Sequence, residues 1–156
     1  MMLKTKLSRI LALALALAVA LLSLVSCGTG ETDAAGTVTV VIYDTEAMEY
    51  TVSLDSLSEG KGIIPVLDYL KAEEGVDYTA TDSGFGAYLT ELGTLKENAA
   101  EGKYLYVYTS VESDFDLTAY ALTVEFGGKT LTSSGVGISE MSLTDGAIIY
   151  FTYITY

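Results

Sequence analysis

The sequence predicts an α+β fold in which one main helix packs on a mixed β-sheet. Three observations lead to that expectation. Ile63, Val66, Leu67 and Leu70 recur at i, i+3, i+4 and i+7, the stripe of a helix lying on a core. Elsewhere apolar residues alternate over short runs, the period of half-buried strands. The last run, Ala147–Thr155, is apolar on both alternating faces, which suits a central strand buried on both sides.

The elements follow in order. Thr37–Tyr43 alternates with Val38, Val40 and Ile42 on one face, and Tyr50, Val52 and Leu54 repeat the pattern, so the two segments form an opening hairpin. The helix comes next. Pro65 sits in its first turn, where a missing N–H costs nothing, and Gly75 supplies a natural stop. Asp68, Lys71, Glu73 and Glu74 fall on its outer face. Tyr78–Ala80 reads as a short strand, Ala87–Leu92 is ambiguous, and Tyr104–Thr109 alternates cleanly. Tyr120, Leu122, Val124 and Phe126 run into Gly127-Gly128, and Lys129–Thr132 continues beyond. A Gly-Gly pair between alternating runs suits a two-residue hairpin turn with positive φ. Thr144-Asp145-Gly146 turns the chain into its final strand.

The first 27 residues carry an address. Lys4, Lys6 and Arg9 precede an unbroken apolar run from Ile10 to Leu22, and small residues lead to Cys27, the one cysteine of the chain. This is the layout of a secretory signal. Leu24-Val25-Ser26-Cys27 resembles the lipobox of bacterial lipoproteins, in which cleavage falls between Ser26 and Cys27 and the sulfur receives a diacylglycerol. A cleaved signal with an incidental cysteine is the nearer alternative. A permanent membrane helix needs about 20 apolar residues, more than this run offers. Two acyl chains would hold the protein stably at a membrane surface. The expected organisation is a lipoprotein signal peptide over residues 1–26, a lipidated cysteine with a flexible tether over 27–36, and one folded domain over 37–156. The expected location is the extracytoplasmic face of a bacterial cell membrane.

Composition narrows the function classes. All 21 acidic residues follow Cys27, against Lys61, Lys71, Lys96, Lys103 and Lys129, with no histidine. A body this acidic repels nucleic acid and anionic headgroups. The roughly 130 residues after Cys27 suit one domain with a real core. Without histidine no Ser-His triad can be built, the one thiol is assigned to lipid, and zinc sites of His and Cys are excluded. Catalysis is therefore not expected, nor a metal or cofactor.

The element order fits a β-grasp-like arrangement, a helix lying across a mixed sheet. The residues also resemble a bacterial domain family of unassigned function, related to the carboxy-terminal β domain of transcobalamin and intrinsic factor. The matching stretches are Thr37–Ile42, Ile63–Lys71, Tyr104–Tyr108 and Leu143–Tyr153. The chain departs from that family in having no tryptophan, in Thr109-Ser110 following Tyr108, in an Asp-Gly-Ala final turn, and in an insertion over Glu112–Ala119. The resemblance raises corrinoid binding. In those carriers a helical domain holds the other side of the ligand, so corrinoid binding here would need a partner subunit or apolar and backbone contacts alone.

Candidate sites each have a plain alternative. Tyr104, Tyr106 and Tyr108 share one strand face and are the candidate ligand-binding residues, as an aromatic platform; ordinary sheet-face packing is the favoured reading of the three. Glu112, Asp114 and Asp116 alternate in an acidic loop that lacks the glycine and final glutamate of a calcium loop, and they read as solvated. The expected function is a membrane-anchored binding module for a small molecule or a surface protein or glycan; a structural or adhesion module is the alternative. A ligand module predicts a concave apolar pocket, and an interaction module a flat apolar patch.

Overall fold

The computed structural model describes residues 36–84 and 86–155. The signal segment, Ser26, Cys27, the tether to residue 35, Phe85 and Tyr156 lie outside the described residues. β1 (Thr37–Tyr43) and β2 (Ala47–Ser53) form the opening antiparallel hairpin, with Thr37 opposite Ser53 and Tyr43 opposite Ala47. Leu54, read as the end of that alternation, instead begins a short 3-10 turn, Leu54–Ser56.

α1 (Ile64–Glu73) follows, entered through Pro65. Ile63, Val66, Leu67 and Leu70 are all fully buried, as their spacing predicts. Burying each such side chain contributes about 1.5–3 kcal/mol. Gly75 has φ +69°, and across it the Val76 N–H donates to the Leu70 carbonyl at 3.1 Å. This closes the helix with a left-handed glycine.

β3 (Tyr78–Ser83), β4 (Gly86–Leu92) and β5 (Leu95–Lys96) form a three-stranded antiparallel sheet of their own. Ala87–Leu92 is thus strand. β6 (Lys103–Thr109), β7 (Thr123–Phe126), β8 (Lys129–Ser133) and β9 (Ala147–Thr155) complete a six-stranded sheet in the order β2-β1-β9-β6-β8-β7. β1 and β9 run parallel, and the remaining pairs are antiparallel. Together with α1 this is a small α+β fold, a mixed sheet with one α-helix among the described residues.

β9 sits between β1 and β6 and supplies two cores, as its apolar pattern requires. Ala147, Ile149 and Phe151 join Val38, Val40, Ile42 and the α1 stripe on one face. Ile148 and Tyr150 join Val41, Tyr108 and Leu131 on the other. The β7–β8 hairpin turns at Gly127 (φ +58°) and Gly128 (φ +75°), with Phe126 opposite Lys129. It curls over the second face far enough that the Phe126 ring lies 5.6 Å from the Tyr150 ring. Tyr120 and Leu122 precede β7 instead of belonging to it; Tyr120 is 86 % exposed.

Candidate functional site

The candidate site arises where one strand leaves its sheet. β8 pairs with β6 only at Tyr108↔Ser133 and Thr109↔Thr132. One further bond, from the Ser134 N–H to the Val107 carbonyl at 2.9 Å, ends the pairing. Continued in register, Val136 would lie opposite Leu105. The chain peels away instead. The Ser134 Oγ donates to the Val136 carbonyl at 2.9 Å, a tight local turn. The Ile138 N–H then donates to the Ala87 carbonyl at 3.0 Å, and the Ala87 N–H donates to the Ser139 Oγ at 2.9 Å. Ile138 is also tied to the helix entrance, where the Ile63 N–H donates to its carbonyl at 2.9 Å.

The gap between β4, β6 and this 134–138 segment is a cleft of about 270 Å³. Leu89, Leu105 and Phe151, all buried core residues, line it from below, and Val136 and Val107 line its side. Tyr88 and Ser83 stand at its rim. The lining is mainly apolar, as in most small-molecule sites.

The edge of β6 inside the cleft can be accounted for group by group. Residues 103, 105 and 107 point their N–H and C=O groups away from β9, because strand groups alternate in direction. Lys103 exchanges both of its bonds with Asn98, at 2.9 and 3.0 Å. The Leu105 N–H donates to Glu97 Oε1 at 3.3 Å, and the Tyr88 hydroxyl donates to the same oxygen. The Val107 carbonyl is taken by Ser134. The Leu105 carbonyl and the Val107 N–H remain, and among the described residues neither has a hydrogen-bond partner. Across the gap, Leu89 presents its N–H and C=O on the same edge as Ala87, and no strand lies along that edge before Glu91 meets Lys96.

Electrostatics mark the same end of the cleft. Burial, the hydrogen bond to Glu97 and the nearby Tyr104 together push the Tyr88 hydroxyl well above its ordinary pKa, so it stays a donor.

The three tyrosines of β6 share a face as their spacing predicts, but reach different surroundings. Tyr108 is buried in the second core, with its ring 5.5 Å from Tyr106 and 6.2 Å from Tyr150, edge to face in both cases. Tyr150 also stacks on Tyr43 at 6.1 Å, and burial with Tyr43 beside it raises its pKa. Tyr106 is partly buried against that core and lines the cleft. Tyr104 is half-buried near Tyr88. No open platform of three rings forms.

The acidic loop also differs from its expectation. Asp114 is buried, accepting bonds from the Ser142 N–H at 2.6 Å, the Ser142 Oγ at 2.8 Å and the Ser113 Oγ at 3.0 Å. Ser142, 28 residues along the chain, and the adjacent Ser113 satisfy this carboxylate. Among the described residues no group of three or more acidic, histidine or cysteine side chains is placed to hold a metal ion. No described helix is long and apolar enough to cross a membrane. Sequence reasoning missed Glu97, Tyr88 and the backbone of Leu105 and Val107, because their role depends on where β8 departs and no local pattern records that.

No protein-family model matches the chain, and no curated protein matches it significantly. Solved structures do resemble it. A proposed metal binding protein from Ruminococcus gnavus matches over 78 % of this chain and 98 % of its own, at 14 % identity and a TM-score of 0.48. Haptocorrin, solved in complex with Cbi, matches over 77 % of this chain at 16 % identity and a TM-score of 0.52. This chain spans 25 % of haptocorrin's length. The likeness is one of fold, and it supports the transcobalamin-like resemblance at that level.

Proposed function

We propose that this chain is a non-catalytic ligand-binding module, a β-grasp-like domain held by an acylated Cys27 at the outer face of a bacterial membrane. The cleft between β4, β6 and residues 134–138 is its binding site. The observation that carries this reading is a recess of about 270 Å³ that combines an apolar floor with unspent backbone hydrogen-bonding groups. Apolar contact supplies affinity in such sites, and a few polar groups fix orientation. A cleft of this size takes a fragment of modest bulk and cannot enclose a macrocycle. A corrinoid of the kind bound by haptocorrin would therefore lie across the cleft's mouth and need a second protein above it.

Native mass spectrometry of the full chain, purified in detergent, tests the reading. The expected result is a copurifying small molecule that is lost from the Val136→Trp variant, whose indole fills the cleft, while circular dichroism stays unchanged. A folded Val136→Trp protein that retains the same bound mass would overturn it. Cobinamide titrated into the same protein alone is expected to leave the corrinoid spectrum unchanged.

A surface-partner reading rests on a different place. Leu117 (91 % exposed) and Tyr120 both lie on the segment before β7, where the Thr118 N–H donates to Asp116 Oδ1 at 2.8 Å. Two exposed apolar residues make a small patch, well below the extent of a stable interface.

A further inference from the structure

We propose that the cleft's ligand is a short extended peptide without acidic side chains, bound by pairing with the open edge of β6. The inference rests on the ligand-binding reading above and names the chemistry that the site selects. Val107 N–H and Leu105 C=O lie on one edge two residues apart, and neither has a partner among the described residues. That spacing of donor and acceptor is what a strand offers to another strand. The partner that satisfies both at once is a ligand with an N–H and a C=O on one residue, as any non-proline peptide residue has. Leu89, on the β4 wall of the cleft, presents its own N–H and C=O on the edge it shares with Ala87. Sheet edges left open are normally blunted by charge, proline or cover. Here the lower end is closed by the Glu97 carboxylate on Leu105 N–H, and the upper end by Ser134 on Val107 C=O, which leaves a slot of defined length.

Side-chain selectivity follows from the same walls. Leu89, Leu105 and Phe151 form a floor for one apolar side chain of the bound segment. Glu97 at the slot's end, in a chain with net charge -13, disfavours any carboxylate near it. The bound segment is therefore neutral or basic, with an apolar residue at its centre.

The test uses the full chain, nitrogen-15 labelled and purified in detergent. The first probe is acetyl-Ala-Val-Ala-amide, and the second is the same peptide methylated on the valine nitrogen. The first is expected to shift the Leu105–Val107 and Leu89 amide resonances and to slow hydrogen exchange at Val107. The methylated peptide, lacking one donor in the ladder, is expected to bind about tenfold more weakly. Equal binding of both peptides overturns strand pairing while leaving the cleft a binding site. Failure of both, with a copurified non-peptide mass still lost on Val136→Trp, overturns the peptide class and leaves the ligand-binding reading standing. Failure of both with no copurified mass overturns the two together. Broadening of the same resonances with rising protein concentration alone would place a second copy of the chain in the slot and overturn the proposal.

Discussion

Asp114 and Ser142 are joined twice: the Ser142 N–H donates to Asp114 Oδ2 at 2.6 Å, and its hydroxyl donates to Asp114 Oδ1 at 2.8 Å. Asp114 also holds the start of the cleft segment, because the Gly135 N–H donates to its carbonyl at 2.8 Å. Asp114→Ala leaves the Ser142 groups without their acceptors. The expected cost is about 2–4 kcal/mol in a denaturant titration. Asp114→Asn keeps one acceptor and is expected to cost about half as much. An Asp114→Ala protein as stable as the parent would mean that this carboxylate is solvated.

Gly62 stands at φ +57°, and a Cβ there would lie 2.2 Å from the Ile138 carbonyl oxygen. That oxygen accepts the Ile63 N–H at the helix entrance. Gly62→Ala must therefore strain the backbone and displace Ile138 from the cleft wall. A loss of about 2 kcal/mol or more is expected from thermal unfolding. The same substitution at Gly128, where a Cβ meets nothing within 4 Å, carries the conformational penalty alone and is expected to cost less.

The Tyr78 hydroxyl donates to Asp68 Oδ1 at 2.8 Å, joining β3 to α1. Burial first, and then the Asp68 carboxylate, push its pKa from 10.0 up to about 12. A raised folded-state pKa means that the contribution is fully present below pH 10.0 and is lost as pH rises through about 12. Denaturation midpoints measured across that window should fall more steeply for the parent than for Tyr78→Phe. Parallel curves for the two proteins would show that the bond contributes nothing.

Cys27→Ser tests the anchor. The variant is expected to move from the membrane fraction to the soluble fraction, and the parent's N-terminal fragment is expected to carry the mass of a diacylglycerol in mass spectrometry. Unchanged membrane retention, or an unmodified Cys27, would remove the anchoring reading.

The parts legible in the sequence were those written in local periods. The stripe at Ile63, Val66, Leu67 and Leu70 identified the helix and its buried face, because a 3.6-residue period leaves few other readings. Gly127-Gly128 marked a turn that only positive φ can make, and the doubly apolar Ala147–Thr155 marked the central strand. What stayed hidden depends on partners far along the chain. Glu112–Asp116 reads as solvated acid because Ser142, 28 residues away from Asp114, is invisible to any short window. The cleft is hidden for a related reason. It is made by a departure from register at Ser134, and the groups it exposes belong to the backbone of Leu105 and Val107, which every sequence shares.

The parallel ladder between β1 and β9, from Val38 beside Ala147 to Ile42 beside Phe151, has a consequence for assembly. The earliest strand of the domain waits for the latest one to cover its second edge. Such long-range closure is slow, since loop entropy is spent before the pairing rewards it. During synthesis the opening hairpin must persist with one side bare until Ala147–Thr155 has emerged. A chain truncated before Ala147 would lack the middle of its main sheet, leaving β1 and β6 exposed to aggregation or proteolysis.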